Sequence, residues 1–247
     1  MRSFVRAGWQ KSDWWLVALL AACLVMIYLF AGMGSQVTQG DMREIDVAFR
    51  NFAMAHRNPL WMSVLSALSW LAAKPILVTI AALGAWLISR NLLLVVLVFA
   101  CGFATQELVS GLKNVFGAIR PATGMLERTS LSFPSGHVSG TAAVATLMGF
   151  ASIRHRKWPW FVAPALAFIT VMMAASRVFL DMHWFSDVVG GAFIGAAVGL
   201  VFAILYELVT IRTTRAPWRP VASSAAVADR ASYSGSSYGG SAPPSVR

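Results

Sequence analysis

Trp14–Met33 reads WWLVALLAACLVMIYLFAGM, twenty residues without a charge, and its length decides the class of the whole chain. A helix rises about 1.5 Å per residue, so such a run crosses the roughly 30 Å of a bilayer's hydrocarbon core. The run is longer than the apolar core of a signal peptide, and no small-residue cleavage site follows it. It is therefore expected to be a retained span that also directs insertion. The composition agrees. Of 247 residues, 57% are hydrophobic and 12% charged, about half the charged share of an ordinary soluble domain.

Beyond this run, apolar segments follow at about Leu92–Leu112, Gly136–Ile153, Trp160–Ala175 and Phe185–Thr210. Leu60–Ile88 is too long for one straight crossing and too short for two, and Lys74-Pro75 lies in its middle. One tilted or kinked helix is expected there. The chain is thus predicted to be an all-α, polytopic membrane bundle of about six transmembrane helices. The polar stretch 34–59 holds Asp41, Arg43, Glu44, Asp46, Arg50 and Arg57. Within it, Ile45, Val47, Ala48, Phe49, Phe52 and Ala53 suggest a short interfacial amphipathic helix. The predicted layout is a cytoplasmic segment 1–13, a membrane domain 14–210 and a tail 211–247. The tail is rich in Ser, Ala and Gly and cannot bury a core, so it is expected to be disordered.

The basic residues orient the bundle. Arg2, Arg6 and Lys11 precede the first span, Arg90 follows the second, Arg154, Arg156 and Lys157 separate the fourth and fifth, and Arg212, Arg215 and Arg219 follow the last. An even number of spans puts all four groups, and both termini, on the cytoplasmic side. The segments around Lys113–Pro134 and Arg177–His183, with the loop 34–59, then reach the outer face. The same distribution disposes of nucleic acid as a partner. The net charge of +10 falls mainly at the ends of apolar segments and in isolated loop positions, not along a phosphate-tracking face. Cys23 and Cys101 lie inside apolar runs, which implies neither a disulfide framework nor a zinc site.

Three clusters are polar where their surroundings are apolar. They are Lys113 with Arg120-Pro121, Pro134-Ser135-Gly136-His137, and Ser176-Arg177 with His183 and Asp187. In this topology all three reach one face. Lys113, Arg120 and Arg177 repel one another unless an anion joins them, and an arginine fork suits a phosphoryl group. Ser135-Gly136-His137 opens a helix, where free N–H groups and the helix dipole favour anions and glycine lets the backbone approach closely. Together these groups form a cradle for pentacoordinate phosphorus. His183 and Asp187 are spaced i and i+4, so on a helix the carboxylate can fix one imidazole nitrogen and leave the other to attack. His137 is then available to protonate the leaving oxygen and later to activate water, which predicts a bell-shaped pH profile. No carboxylate cluster suggests magnesium. Metal-independent catalysis without a cofactor is therefore expected.

These clusters resemble the three signature motifs of the type-2 phosphatidic acid phosphatase superfamily, which includes vanadium haloperoxidases and acid phosphatases. The motifs there are K-x6-R-P, P-S-G-H and S-R-x5-H-x3-D. The likeness runs in span order from roughly Leu60 to Val209, but its specificity rests on those short motifs. It implies that His183 forms a phosphohistidine, Asp187 orients it and His137 is the general acid. Lys113, Arg120, Ser135, Gly136 and Arg177 would hold the phosphate. One position departs: many members carry another arginine two residues before the Arg-Pro pair, where this chain has Ala118, which puts the usual head-group contacts in question.

The expected activity is dephosphorylation of a membrane lipid phosphate or diphosphate at the outer face of a bacterial inner (plasma) membrane. Phosphatidic acid, phosphatidylglycerol phosphate, a polyprenyl diphosphate and phosphorylated lipid A all fit, and oligomeric state is not fixed by the sequence. A phosphotransferase that passes the phosphoryl group to a second lipid shares the same first half-reaction. A transporter or lipid-binding scaffold has no need for His183, Asp187 and His137 together, and a haloperoxidase is expected to be soluble. Glu107, deep in the third span, is expected to make a structural hydrogen bond or ion pair. His56 and His155 lie in polar stretches and need no special function. Trp9, Trp14, Trp15, Trp158 and Trp160 suggest an interfacial belt, whereas Trp184 adjoins the proposed nucleophile.

Overall fold

In the computed structural model, helices account for all regular structure among the described residues, which are 11–71, 74–121 and 131–215. In chain order they are α1 (Lys11–Gln39), α2 (Arg43–Ala55), α3 (Pro59–Leu71), α4 (Lys74–Ser89), α5 (Leu92–Phe116), α6 (Gly136–Arg154), α7 (Pro159–Phe179) and α8 (Phe185–Arg215). Local signals explain several ends. Asn91 caps α5 by accepting the Leu93 N–H, and Gly117, at φ +62°, closes it with a left-handed turn. Pro159 opens α7, where a missing N–H costs nothing.

Four helices are long and apolar enough to cross a membrane: Trp14–Gln39, Leu92–Phe116, Pro159–Phe179 and Phe185–Ile211. The kink expected in Leu60–Ile88 is a larger break. Pro59–Trp70 and Pro75–Ser89 meet at 66°, and counted as one bent span they make a fifth. Pro75 supplies no N–H to the preceding turn, so the helix restarts there. The segment expected as the fourth span, α6, is not among the apolar set. Its sequence GHVSGTAAVATLMGFASIR carries serine, threonine and glycine, and twelve of its nineteen residues are buried. A helix walled in by other helices meets protein rather than lipid, so small polar side chains are tolerated.

α8 packs directly on the α6 backbone. A Cβ added at Gly195 would lie 2.2 Å from the Ser139 carbonyl oxygen, and one at Gly199 would lie 2.4 Å from that of Ala143. Only bare backbone fits that approach. The main core joins Leu94, Val98 and Cys101 of α5 to Ala143, Leu147 and Ala151 of α6 and to Ala203 and Tyr206 of α8. A second cluster, Phe30, Val109, Phe133 and Ile194, holds the segment leading into α6, with Phe30 stacked on Phe133 at 5.6 Å. Cys23 and Cys101 are buried free thiols.

The helix expected within 34–59 is α2. It turns Ile45, Val47 and Phe52 outward and buries Asp46 and Ala53, while Phe49 is partly covered by Phe185. Its apolar side thus suits a bilayer interface, and its polar side meets the protein. Trp14, Trp158 and Trp160 are exposed, as a membrane belt requires. Glu107 departs from expectation: it is exposed on α5 rather than held within the bundle. The described residues up to Val209 form one compact unit, and all the packing above lies within it. A second unit begins at Thr210, and its described part is the end of α8 to Arg215. The tail expected from 211 therefore begins as helix, and the rest of it, like residues 1–10, lies outside the described residues.

Candidate active site

The site is built where the end of α5, the start of α6 and the turn between α7 and α8 meet. His183 sits in that turn, and Asp187 lies in the first turn of α8. His183 Nδ1 is 3.1 Å from Asp187 Oδ2. The same oxygen accepts the Trp184 N–H at 2.8 Å and the Ser132 hydroxyl. On the other side of the ring, Arg120 Nη1 is 3.0 Å from His183 Nε2. Arginine can only donate, so Nε2 carries the lone pair and Nδ1 the proton. Burial pushes the His183 imidazole down to about 4. Its hydrogen bond and charge interaction with Asp187 oppose that shift, while the charges of Arg120 and Lys113 add to it. The ring is therefore neutral at ordinary pH, with its lone pair facing a cation.

The two cations of the first cluster converge on one carbonyl. Lys113, in the last turn of α5, donates to Leu131 O at 2.5 Å. Arg120 Nη2 reaches the same oxygen at 3.4 Å, and Nη1 also donates to Met182 O. Ser135 is the N-cap of α6, and its N–H donates to the Asp187 carbonyl at 3.0 Å. This ties the start of α6 to the start of α8. The Ser135 hydroxyl is buried without a hydrogen-bond partner, an arrangement that a ligand oxygen would complete. Arg177 is 1% exposed. It lies behind the turn, where Nη1 donates to Met182 Sδ at 3.5 Å and Nε to Ser176 Oγ at 3.4 Å. Its carbonyl accepts the N–H groups of Met182 and His183.

The structure thus brings Lys113, Arg120, Ser135, Arg177, His183 and Asp187 together. Gly136 and His137 follow Ser135 in the first turn of α6. His137 is half-buried and lines a small separate pocket with Leu77, Val78, Gly102, Gln106, Gly136 and Gly140. A cleft of about 680 Å³ opens beside Asp187 and Arg120 and is walled by Trp184, Ala118 and the α2 residues Arg43, Asp46 and Arg50. Trp184 Nε1 donates to Ile119 O at 2.8 Å, so it fixes the cleft wall beside His183. Sequence reasoning missed the α2 residues. Asp46 accepts from Ser186, and Arg50 pairs with Asp181. The available signal was their i, i+4 spacing on the side of α2 opposite its apolar residues.

The PAP2 superfamily model matches residues 90–210 of the chain. Phosphatidylglycerophosphatase B of Bacillus subtilis is similar, with 25% identity over 180 residues, 69% of this chain and 87% of that protein. Decaprenylphosphoryl-5-phosphoribose phosphatase of Mycobacterium tuberculosis is 38% identical over 73 residues, 30% of this chain and 36% of that one. The crystal structure of a transmembrane PAP2-type phosphatidylglycerolphosphate phosphatase from Bacillus subtilis superimposes with a TM-score of 0.65 at 21% identity. That match covers 80% of this chain and 98% of the other.

Proposed function

The chain belongs to the PAP2 superfamily, and from that premise we propose that it is a membrane-embedded phosphatase that removes phosphate from a lipid-linked substrate through His183. The observation that carries this reading is the state of the imidazole. It is buried, fixed at Nδ1 by Asp187, and it presents Nε2 to a guanidinium beside an open cleft.

In the first half-reaction His183 Nε2 attacks phosphorus, and the bond from phosphorus to the lipid oxygen breaks. The departing oxygen takes a proton from His137, in the first turn of α6. Arg120 leaves Nε2 for the equatorial phosphoryl oxygens, joined by Lys113, Arg177 and the N–H and hydroxyl groups at the start of α6. Lys113 and Arg120 now donate to neutral carbonyls, which a phosphoryl anion outcompetes. In the second half-reaction His137 takes a proton from water, the hydroxide oxygen bonds to phosphorus, and the P–N bond breaks. Inorganic phosphate leaves and His183 is again neutral. Because cations already serve the developing charge, the cycle needs no metal or cofactor.

The named relatives act on lipid-linked phosphates, which supports a substrate of that class. The placement of the basic residues supports cytoplasmic termini and a site on the outer, periplasmic face of a bacterial inner membrane. Phosphate release in detergent micelles with excess EDTA tests the reading, comparing the wild type with His183→Ala on phosphatidic acid, phosphatidylglycerol phosphate and undecaprenyl diphosphate. EDTA-resistant release that disappears in the variant is the expected result. Release that survives in the variant assigns the nucleophile elsewhere. Transfer to a second lipid without free phosphate would make the protein a phosphotransferase.

A further inference from the structure

Two bonded pairs join α2 to the segment carrying His183 and Asp187. Arg50 Nε and Nη2 donate to Asp181 Oδ1 and Oδ2 at 2.7 and 2.9 Å. Asp46 Oδ1 accepts the Ser186 N–H at 2.8 Å, and Oδ2 accepts the Ser186 hydroxyl at 2.7 Å. Asp181 lies two residues before His183, and Ser186 lies one before Asp187. The two attachments therefore flank His183, and the second adjoins Asp187.

Each attachment meets a local need of the backbone. Asp181 is a non-glycine residue at φ +56°, a conformation that persists only where neighbours enforce it. Its carboxylate is 1% exposed, and the bidentate guanidinium compensates it. Asp46 supplies from another helix the cap that α8 needs, since the first N–H groups of a helix have no acceptor of their own. Asp187 takes the Trp184 N–H, and Asp46 takes that of Ser186. Phe49 of α2 stacks on Phe185 at 3.9 Å between ring centroids, which fixes the angle of approach.

We infer that Asp46 and Arg50 are positioning residues for the phosphatase reaction: they hold residues 181–187 so that His183 keeps Nδ1 on Asp187 and Nε2 toward the phosphoryl site. The inference rests on the reading of His183 as nucleophile. Both residues also line the cleft, so a direct role in binding lipid is the competing possibility, and kinetics separates the two.

The experiment measures kcat and KM for phosphatidic acid from pH 4 to pH 8, using the full chain in micelles. Asp46→Ala and Arg50→Ala should each lower kcat about tenfold or more with KM within about twofold, the mark of a lost geometry rather than lost binding. The acid limb of kcat/KM should also move to higher pH. Once the turn loosens, water reaches His183, while Asp187 of α8, Lys113 of α5 and Arg120 still face it. Asp46→Asn keeps an oxygen for the Ser186 N–H and should recover most of the rate. A raised KM at unchanged kcat would overturn the inference in favour of substrate binding. So would a lowered kcat with the acid limb in place and no rescue by asparagine. If an alanine variant fails to accumulate, Ser186→Ala and Arg50→Lys each remove only part of one attachment and read the same quantities. Wild type inactive on every lipid phosphate would defeat the parent reading; an active wild type with unaffected variants would defeat this inference alone.

Discussion

The α6–α8 pair has a histidine near a buried carboxylate at each end, and the two ends are finished differently. At one end His155 meets the Tyr206 hydroxyl at 2.9 Å, and Arg154 pairs with the buried Glu207 at 2.9 Å. Acid and base are matched there by fixed side chains. At the other end Asp187 fixes only Nδ1 of His183, and Nε2 faces Arg120. Lys113 and Arg120 donate to main-chain carbonyls there. Burial lowers both imidazoles below the ordinary histidine value, so a depressed titration does not distinguish them. What distinguishes them is the partner set. One end is complete in itself, and the other has donors arranged for an anion.

Replacing each histidine is the sharpest way to break this comparison. His183→Ala should reduce phosphate release by on the order of 10³-fold or more, because the proposed covalent route would be lost. His155→Ala should leave turnover within about threefold and lower stability by about 1 kcal/mol, the worth of an ordinary hydrogen bond. Equal losses at both ends, measured on folded protein, would dissolve the distinction. Asp187→Asn comes next. It preserves shape but removes the charge that fixes the tautomer, and a loss of about 10²- to 10⁴-fold in kcat is expected. Glu207→Gln should change kcat little.

The helix contact that holds both ends in register can be broken in the middle. Gly195→Val would drive a side chain into the Ser139 carbonyl, since even a Cβ there lies at 2.2 Å. A destabilisation of about 3 kcal/mol or more is expected, read as a lower melting temperature in detergent, with loss of activity following loss of fold. Gly136→Ala is the counterpart. An added Cβ there makes ordinary contact with Val109 at 3.6 Å, so the fold should hold and any loss should appear in kinetics.

The pH profile sharpens the comparison further. On the proposed mechanism His183 must be neutral to attack, and its folded value of about 4 lies below the ordinary 6.5. Activity should therefore persist as pH falls through 6 and fail only toward pH 4. Stability should move earlier. Between about 6.5 and 4 the unfolded chain binds protons that the folded site refuses, so the folded state weakens as pH falls through that window. His155, also lowered, contributes in the same sense. An acid limb already complete near pH 6.5 would mean that the site is open to water at rest.

The sequence made some of this legible and hid the rest for physical reasons. Local patterns carried the all-helical class, the long apolar spans and the α2 helix, because each is set by neighbours within a few turns. The short motifs also led to residues that the structure gathers, as at Lys113, Arg120, Ser135 and the His183–Asp187 pair. The α2 attachments were hidden because Asp46 and Ser186 are 140 residues apart and Arg50 and Asp181 are 131 apart. The spacing of Asp46 and Arg50 marks a polar face of α2, but nothing local names its partners. α6 falls outside the apolar set because hydropathy measures transfer to lipid, whereas α6 is lined by protein.

The smallest expected effect concerns Ala118, where an arginine was the family expectation. Ala118 lies on the cleft wall, so a charge is missing where a head group would pass. Arg43, in the first turn of α2, lines the same cleft. Its charge works mildly against its own helix dipole at that end, a cost that an anion in the cleft would offset. Arg50, the other α2 guanidinium on that wall, is committed to Asp181. Arg43→Ala should therefore raise KM about three- to tenfold for lipids bearing a second phosphate, such as phosphatidylglycerol phosphate, and leave phosphatidic acid within about twofold. The effect is small because a solvated charge at a cleft rim contributes little per contact. It should fade as salt is raised, since screening acts on exposed charges first. Adding Ala118→Arg to the variant should restore the preference, because the two positions would then supply the same charge to the same cleft. An equal change for both lipids would show instead that Arg43 sets only the general potential at the mouth of the site.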